Sequence, residues 1–224
     1  MEKNLTATVY EMNTKLSVSS SIFIFSICHF AVVGLSEMLA IKIQKRVPTE
    51  VSEVDLSNFQ PHVTSASRVI VYLPDEPKHM LSTLNIFSQF IKLINTPLPT
   101  LILSNHRPEW IYHTLTYQIR EVDILPYLCT LPIKTPVTEL LMLLQTDISS
   151  LLLTRHVQEV KKRISVRTQG MTKREFETVL LTLHGKSVME ISQYTGRSIK
   201  TLYRQIEKGM RKLQAEYPSH LLTL

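Results

Sequence analysis

Residues 171–213 read MTKREFETVLLTLHGKSVMEISQYTGRSIKTLYRQIEKGMRKL, and this stretch decides the fold of the C-terminal part of the chain. From Ser198 onward, apolar residues recur at intervals of three and four, which places them in one stripe along a helix. The stripe consists of Ile199, Leu202, Ile206, Met210 and Leu213. Gly196 is expected to end the preceding helix, and the Ser198 hydroxyl can cap the next one. Helix, short turn and second helix form the helix-turn-helix arrangement.

The opposite side of the same predicted helix carries mostly cations. They are Lys200, Arg204, Lys208 and Arg211, with Tyr203 and Glu207 between them. A helix that packs on one side and presents cations on the other fits the groove of a nucleic-acid duplex. Residues 155–224 hold 14 Lys and Arg against 6 Asp and Glu, whereas residues 1–154 hold 11 against 13. The basic excess is therefore confined to the last third of the chain, as expected if that part contacts phosphates.

This segment resembles the DNA-binding domain of LuxR/FixJ-type transcription regulators, whose pattern runs LT-x-R-E-x-E-V-L, G-x-S, E-I-A, S-x-x-T-V and K-L. The matching residues are Met171-Thr172, Arg174-Glu175, Glu177, Val179-Leu180, Gly185, Ser187, Glu190-Ile191-Ser192, Thr201-Leu202 and Lys212-Leu213. The run 197–201, with Gln205 after it, is especially similar to the Rcs phosphorelay response regulator of enteric bacteria and its auxiliary relatives. Two positions depart from the family. Thr195 replaces a usual Leu, and Gly209 stands in mid-helix, at a cost of about 1 kcal/mol relative to Ala.

The resemblance implies a bacterial, cytoplasmic, sequence-specific DNA-binding transcription regulator. The helix that starts near Ser198 would enter the major groove. Lys200, Tyr203, Arg204 and Glu207 would then read base edges, while Arg197, Thr201, Lys208 and Arg211 would contact phosphates. The expected DNA-binding set is Arg197, Ser198, Lys200, Thr201, Tyr203, Arg204, Glu207, Lys208 and Arg211. The implied partners are double-stranded DNA, RNA polymerase, and a second copy or another response regulator bound through the N-terminal domain.

Upstream, apolar runs recur at intervals typical of alternating strands and helices. The predicted strands are Ser21–Ile27, a weaker candidate at Glu53–Leu56, Arg68–Leu73, Thr100–Leu103, and Val122–Leu125 or slightly beyond. The predicted helices are Phe30–Ile43, Met80–Ile94, Trp110–Arg120 and Val137–Leu153. This alternation predicts an α/β fold, a doubly wound parallel sheet with helices on both faces. Trp110, the only tryptophan, is expected to anchor a helix in the core.

The order of these elements resembles a receiver domain, the usual partner of this helix-turn-helix. By that resemblance, a working receiver has an acidic pair after its first strand for Mg²⁺, a phosphate-accepting Asp after its third, and a Lys after its fifth. The corresponding stretches read Ser26-Ile27-Cys28, Val71-Tyr72-Leu73 and Leu128-Cys129-Thr130, and Asp75 and Lys134 come later; Ser104 is expected at the usual Ser or Thr of the fourth strand. We therefore expect a degenerate pseudo-receiver that takes no phosphate and serves for association.

Residues 16–36 contain no charged side chain over 21 positions, which is long enough to span a bilayer. The serines at 17, 19, 20 and 21 and the polar His29 disfavour a membrane span. A buried strand followed by a helix explains the same hydropathy, with Ala31, Val32, Leu35, Leu39 and Ile43 at helical spacing. We expect this segment to lie in a protein core, with no membrane contact.

The expected organisation is a receiver-like domain over 1–154, a basic linker over 155–170 and the helix-turn-helix domain over 171–224. Pro218 leaves room for only a short fourth helix after Gln214.

Cys28 and Cys129 are far apart, and the histidines are scattered, so no metal site is expected. A glycine-rich phosphate loop and the common hydrolase motifs are missing from the sequence. No enzymatic activity and no cofactor are expected.

Three alternatives stay open. The first is a true phosphoacceptor response regulator whose receiver aligns differently, and the second is a membrane-anchored regulator that uses residues 16–36. The third is a module like region 4 of a sigma factor, which shares the helix-turn-helix pattern. The third is disfavoured because the N-terminal half reads as α/β, whereas a sigma factor would carry a helical promoter-binding region there.

Overall fold

A six-stranded sheet forms the N-terminal unit. The computed structural model describes residues 7–13, 21–39, 43–49, 63–64, 67–120, 122–145 and 170–214. The strands are β1 (Ala7–Asn13), β2 (Ser21–Ser26), β3 (Ile43–Thr49), β4 (Arg68–Tyr72), β5 (Thr100–Leu103) and β6 (Leu128–Leu131). They lie in the order β3-β1-β2-β4-β5-β6. The run β2-β4-β5-β6 is parallel, and β1 pairs antiparallel with both β2 and β3.

In the described part of this unit, four helices cover the two faces of the parallel strands. They are α1 (His29–Met38), α2 (Pro77–Ile94), α3 (Pro108–Gln118) and α4 (Val137–Gln145). Alternate residues of β2 point to opposite faces: Phe23 and Phe25 belong to the core beneath α2 and α3, whereas Ile22 and Ile24 belong to the core beneath α1 and α4. The predicted α/β class with helices on both faces is therefore confirmed.

Aromatic packing anchors α2 on the sheet. The ring of Phe90 lies 5.0 Å from that of Phe23 and 4.9 Å from that of Phe25, centroid to centroid, and Phe87 lies 5.8 Å from Phe25. On α3, Trp110 is 1% exposed, which confirms its predicted place in the core. These tilted and edge-on ring pairs suit the charge distribution of aromatic rings and bury large apolar areas.

Several predicted elements need correction. The last parallel strand is Leu128–Leu131, not Val122–Leu125, although Val122 and Ile124 are buried in the loop before it. A 3₁₀ turn over Leu125–Tyr127 contains Pro126, whose missing N–H cannot join a ladder. Helix α1 ends at Met38, and Ile43, predicted as its last apolar residue, begins β3. The antiparallel strands β1 and β3 were not predicted. The weaker strand candidate Glu53–Leu56 lies outside the described residues.

Between residues 170 and 214, the C-terminal unit contains three helices, α5 (Lys173–Leu183), α6 (Val188–Thr195) and α7 (Ile199–Gln214). Two of them start with a capping box. In this motif the side chain of the N-cap residue accepts a hydrogen bond from the backbone N–H of the third helical residue, and the side chain of that residue accepts one from the backbone N–H of the N-cap residue. The box of α5 joins Thr172 to Glu175, and that of α6 joins Ser187 to Glu190. The all-α second unit predicted from the sequence is thus confirmed, and the predicted fourth helix lies outside the described residues.

The two units share one apolar core. Phe176, Val179, Leu180, Met210 and Leu213 of the helical unit belong to the same cluster as the side chains of α2 and α3. Met171 is fully buried in it as well. Burial of this kind holds the first helix of the helical unit against the α/β unit, since separation would expose these side chains to water.

Polar contacts lie around this shared core. The Met171 N–H donates to Thr114 Oγ1 on α3 at 3.1 Å, and Ser82 Oγ on α2 lies 2.9 Å from His184 Nε2. Gly170 packs so closely that an added Cβ would lie 2.5 Å from the Thr114 backbone nitrogen. Of the predicted linker 155–170, only Gly170 is described, so the expected domain boundaries stay predictions.

Candidate nucleic-acid interface

The turn between α6 and α7 has the geometry expected of a helix-turn-helix. Gly196 ends α6 with a φ of 67°, in the left-handed region that glycine adopts without strain. Two residues later, Ser198 Oγ accepts a hydrogen bond from the Thr201 N–H at 3.2 Å and lies 2.8 Å from Thr201 Oγ1. The predicted cap is therefore present, and α7 begins at Ile199.

One side of α7 packs against α5, largely as predicted. Leu202 and Leu213 are fully buried and Met210 is 8% exposed, while Ile206 is half-buried against the same core. Ile199 is the exception, because 45% of it is exposed. It lies in the first turn of α7, and its predicted packing role is wrong.

Gly209 lies on the packed side, where α7 crosses α5. A Cβ added there would meet Val179 Cγ2 at 2.5 Å, Met171 Cε at 3.1 Å and the Glu175 carbonyl oxygen at 3.4 Å. The glycine that seemed costly in mid-helix is thus the residue that lets the two helices approach closely.

An ion pair fastens α7 to the start of α5. Lys212 Nζ lies 2.7 Å from Glu175 Oε2 and 3.2 Å from the Gly170 carbonyl oxygen. Burial opposes ionisation of Glu175, but the hydrogen bonds from Lys212 and Thr172 outweigh it and hold the pKa of this carboxyl below its ordinary value. Lys212 is therefore occupied inside the unit, in contrast to the other cations of α7.

The opposite side of α7 is open to solvent. Its side chains recur at helical spacing and all are exposed; they are Lys200, Tyr203, Arg204, Glu207, Lys208 and Arg211, and we call them the cationic face. Within the cationic face, Arg211 Nη2 lies 2.7 Å from Glu207 Oε1, and the two side chains are 74% and 67% exposed. Such a pair is worth little in water and can be exchanged for a phosphate contact. All six residues were named from the sequence, and the structure places them together.

Arg197 stands apart from the cationic face. Its side chain is 22% exposed, and Nη2 lies 2.5 Å from Glu177 Oε2 on α5. Thr201 and Ser198, also expected at the DNA, are engaged with each other in the cap. Glu177 was not predicted as a partner of Arg197, because 20 residues separate them and no local spacing signals the contact.

The carboxyl edge of the parallel strands is where a receiver would carry its phosphorylation site. Ser26 Oγ accepts from the Cys28 N–H at 3.0 Å. Asp75 is exposed just beyond β4, and Asn105 Nδ2 donates to both of its carboxylate oxygens, at 3.2 and 3.4 Å. Ser104 is buried at the end of β5, and its Oγ accepts from the His106 N–H. Among the described residues, no cluster of three acidic, histidine or cysteine side chains is suited to hold a metal ion.

The segment considered as a membrane span contains a strand and a short helix. Within residues 21–39, β2 is six residues long and α1 is ten. Across the described ranges, none of the helices has both the length and the apolar character required to cross a bilayer. The strand–helix interpretation of this segment is confirmed.

Comparisons with known proteins give a limited result. No family model matches the chain, and no curated protein does. Among solved structures, the chain is similar to the two-component response regulator RcsB in complex with DNA, with 20% identity over 87% of this chain and 92% of that chain and a TM-score of 0.44. RcsB from Salmonella enterica serovar Typhimurium bound to promoter P1flhDC gives 21% identity over 75% and 78%, with a TM-score of 0.38.

A third neighbour is the response regulator ChrA of a haem-sensing two-component system, with 13% identity over 75% of this chain and 78% of that chain and a TM-score of 0.23. The neighbours thus include the response regulator that the sequence resembles, at identities of 20–21% and TM-scores below 0.5.

Proposed function

We propose that this chain is a cytoplasmic transcription regulator that binds double-stranded DNA in a sequence-specific manner through α7. The observation that carries the proposal is the two-sided α7: a packed side that seats it on α5, and a cationic face with its side chains in solvent. Helix α7 follows α6, which ends at a glycine, and a turn that ends in a cap. The recognition helix of a helix-turn-helix has this position. The resemblance of residues 171–213 and the basic excess of the last third point the same way.

Within the cationic face we assign two roles. Lys200, Tyr203, Arg204 and Glu207 read base edges in the major groove, because Arg pairs with guanine and Glu accepts from cytosine N4. Lys208 and Arg211 lie further along the helix and bind phosphates, together with the capping pair at its start. Contact with RNA polymerase at the promoter belongs to the same proposal.

The test uses duplexes selected from a random pool by the full-length chain. Replacing Arg204 by Ala should weaken binding to the selected site by about 1–3 kcal/mol and relax one base position. Arg120→Ala is the matched control, since Arg120 is an exposed arginine of the α/β unit. If Arg204→Ala binds the selected site as tightly as Arg120→Ala, with the same base preference, α7 does not read the groove.

We further propose that the α/β unit works without phosphorylation. The support is chemical: the positions after β2 are Ser26, Ile27 and Cys28, which offer no carboxylate to a hard dication. Asp75 has its carboxylate hydrogen-bonded by the Asn105 amide, and Lys134 is exposed beyond the end of β6. A phosphoryl group on Asp75 would have neither a metal nor a cation built in to compensate its charge.

Association with a second copy or with another response regulator is the proposed task of this unit. Helix α3 is not a candidate for this surface, because Ile111 and Leu115, and Ile119 directly after the helix, are at most 1% exposed. The face of α1 and α4 suits association better. Phe30 on α1 is 86% exposed and Met142 on α4 is 56% exposed, and both helices bury their other sides in one core cluster. Exposed apolar side chains on this face of the sheet are the candidates for the surface that a protein partner covers.

A further inference from the structure

Arg197 connects all three helices of the helical unit from the turn between α6 and α7. Its carbonyl oxygen accepts a hydrogen bond from Ser192 Oγ on α6 at 2.7 Å. Its guanidinium Nη2 donates to Glu177 Oε2 on α5 at 2.5 Å. Nη1 lies 3.4 Å from Thr178 Oγ1 on α5 and 3.5 Å from Gln205 Oε1 on α7. Both ends of this residue are therefore engaged within the unit.

The partners of Arg197 are themselves held in place. Thr178 is fully buried, and its hydroxyl lies 2.8 Å from the Arg174 carbonyl oxygen and 2.9 Å from Gln205 Oε1. Gln205 is half-buried in the second turn of α7, on the side that faces α5. The guanidinium therefore meets a preformed set of oxygens from two helices, which a planar fork of donors fits and a single ammonium does not.

The charge of Arg197 is compensated within the protein. The Glu177 carboxylate is in contact with it, and the two side chains are 22% and 38% exposed, much less than the Glu207–Arg211 pair of the cationic face. A phosphate would have to displace this carboxylate and break the link to α7. Removing one member of such a partly buried pair leaves the other charge unpaired, which is unfavourable.

We propose that Arg197 and Glu177 act as a positioning pair, which sets the angle at which α7 presents its base-reading residues to the groove. The inference rests on the proposed DNA-binding function and revises the phosphate contact expected for Arg197. Arg197 lies between the glycine that ends α6 and the cap that starts α7, the point where a small rotation displaces the whole recognition helix, and Glu177 ties this point to α5. Base reading depends on that angle, whereas attraction to phosphates does not.

Arg197→Lys separates the two roles without removing the charge. A phosphate contact tolerates lysine, since an ammonium serves as a point charge. A positioning pair does not tolerate lysine, because one ammonium group cannot replace the hydrogen bonds of the guanidinium to oxygens on both α5 and α7. We expect Arg197→Lys to lower affinity for the selected duplex about tenfold, to leave binding to random duplex within about twofold, and to keep the slope of log affinity against log salt.

Glu177→Gln tests the same pair from its other side. The change removes a negative charge from a DNA-binding unit, so electrostatics alone predicts tighter binding. The positioning pair predicts the opposite, a loss of about tenfold on the selected duplex alone, and the double variant should lose no more than either single one. Lys208→Gln, on the cationic face, is the control and should reduce the salt slope by about one on both duplexes.

Two controls distinguish a failure to fold from a failure of the proposal. Thermal unfolding of each variant, followed by circular dichroism, shows whether the unit is folded at the temperature of the binding assay. If Glu177→Gln is not folded there, Arg197→Lys, the milder change, still tests the proposal. The proposal is overturned if Arg197→Lys binds like the wild type while Glu177→Gln binds more tightly. A wild-type chain with equal affinity for selected and random duplex would instead refute the proposed function.

Discussion

At the scale of single residues, Gly209 shows how packing outweighs helix propensity. Replacing it by Ala should gain about 1 kcal/mol of propensity. The new methyl group would lie 2.5 Å from Val179 Cγ2, and a β-branched side chain in a helix has little rotameric freedom to retreat. Overpacking of this kind costs about 1–3 kcal/mol, so we expect Gly209→Ala to lower the free energy of unfolding.

The measurement is chemical denaturation of the full chain, with Val179→Ala and the double variant beside it. Each single change should be destabilising, and the double variant should be more stable than the sum of the two predicts, because the smaller residue removes the clash. A stabilising Gly209→Ala would show that α5 and α7 can separate slightly without loss.

Asp75 gives the residue-scale prediction for the α/β unit. Incubation with acetyl phosphate and Mg²⁺ should add no phosphoryl group, because carboxylates for the metal are missing after β2. Intact mass measured at neutral pH checks this, with Asp75→Asn as the control. An acid-labile increase of one phosphate that Asp75→Asn abolishes would support the phosphoacceptor alternative.

At the scale of elements, α1 and α4 together carry the proposed association surface. We expect Phe30→Asp to weaken self-association or binding of a second regulator, since a carboxylate would be buried at the contact. Leu93→Asp is the matched control: Leu93 is 45% exposed on α2, on the other face of the sheet. Sedimentation velocity over a range of concentrations reports the change. Equal sedimentation of wild type and Phe30→Asp in a self-associating preparation would place the contact elsewhere.

The elements also show what can be predicted from this sequence. β4 and β5 were placed closely because buried parallel strands are continuous apolar runs. β6 was displaced because Val122 and Ile124 are equally apolar and buried without belonging to a strand. β1 and β3, which read ATVYEMN and IQKRVPT, mix polar with apolar residues and carry no such signal. Helical spacing assigned Leu202, Met210 and Leu213 to the packed side of α7 correctly, but it could not show that Ile199, on the same stripe, is 45% exposed.

At the scale of the whole molecule, His184 links the two units in a pH-dependent way. Its Nε2 lies 2.9 Å from Ser82 Oγ. Burial lowers the pKa of His184 from 6.5 to about 4, and Lys78 and His79 on α2 add to the effect. The docked state therefore binds fewer protons than the unfolded chain. The stability that the neutral His184 contributes should have its full value above about pH 6.5 and decline as the pH falls from there towards 4.

His184→Gln can still hydrogen-bond Ser82 but cannot take up a proton. We expect the difference in melting temperature between pH 7.5 and pH 5 to be smaller in this variant than in the wild type. His29→Gln, at an exposed site on α1, should leave that difference unchanged. The same pH dependence in all three proteins would mean that other groups govern it.

The core shared by α5, α2 and α3 has a consequence for the choice of target site. Because the recognition helix is built on α5, its position follows the α/β unit instead of swinging at the end of a tether. Two copies joined through α1 and α4 would then hold their recognition helices at one separation and one rotational phase. Half-sites that face the same side of the duplex lie a whole number of helical turns apart, and one turn is about 10–10.5 base pairs. Operators for this chain should therefore tolerate a whole helical turn between half-sites far better than half a turn, where the second helix would face the wrong side of the DNA.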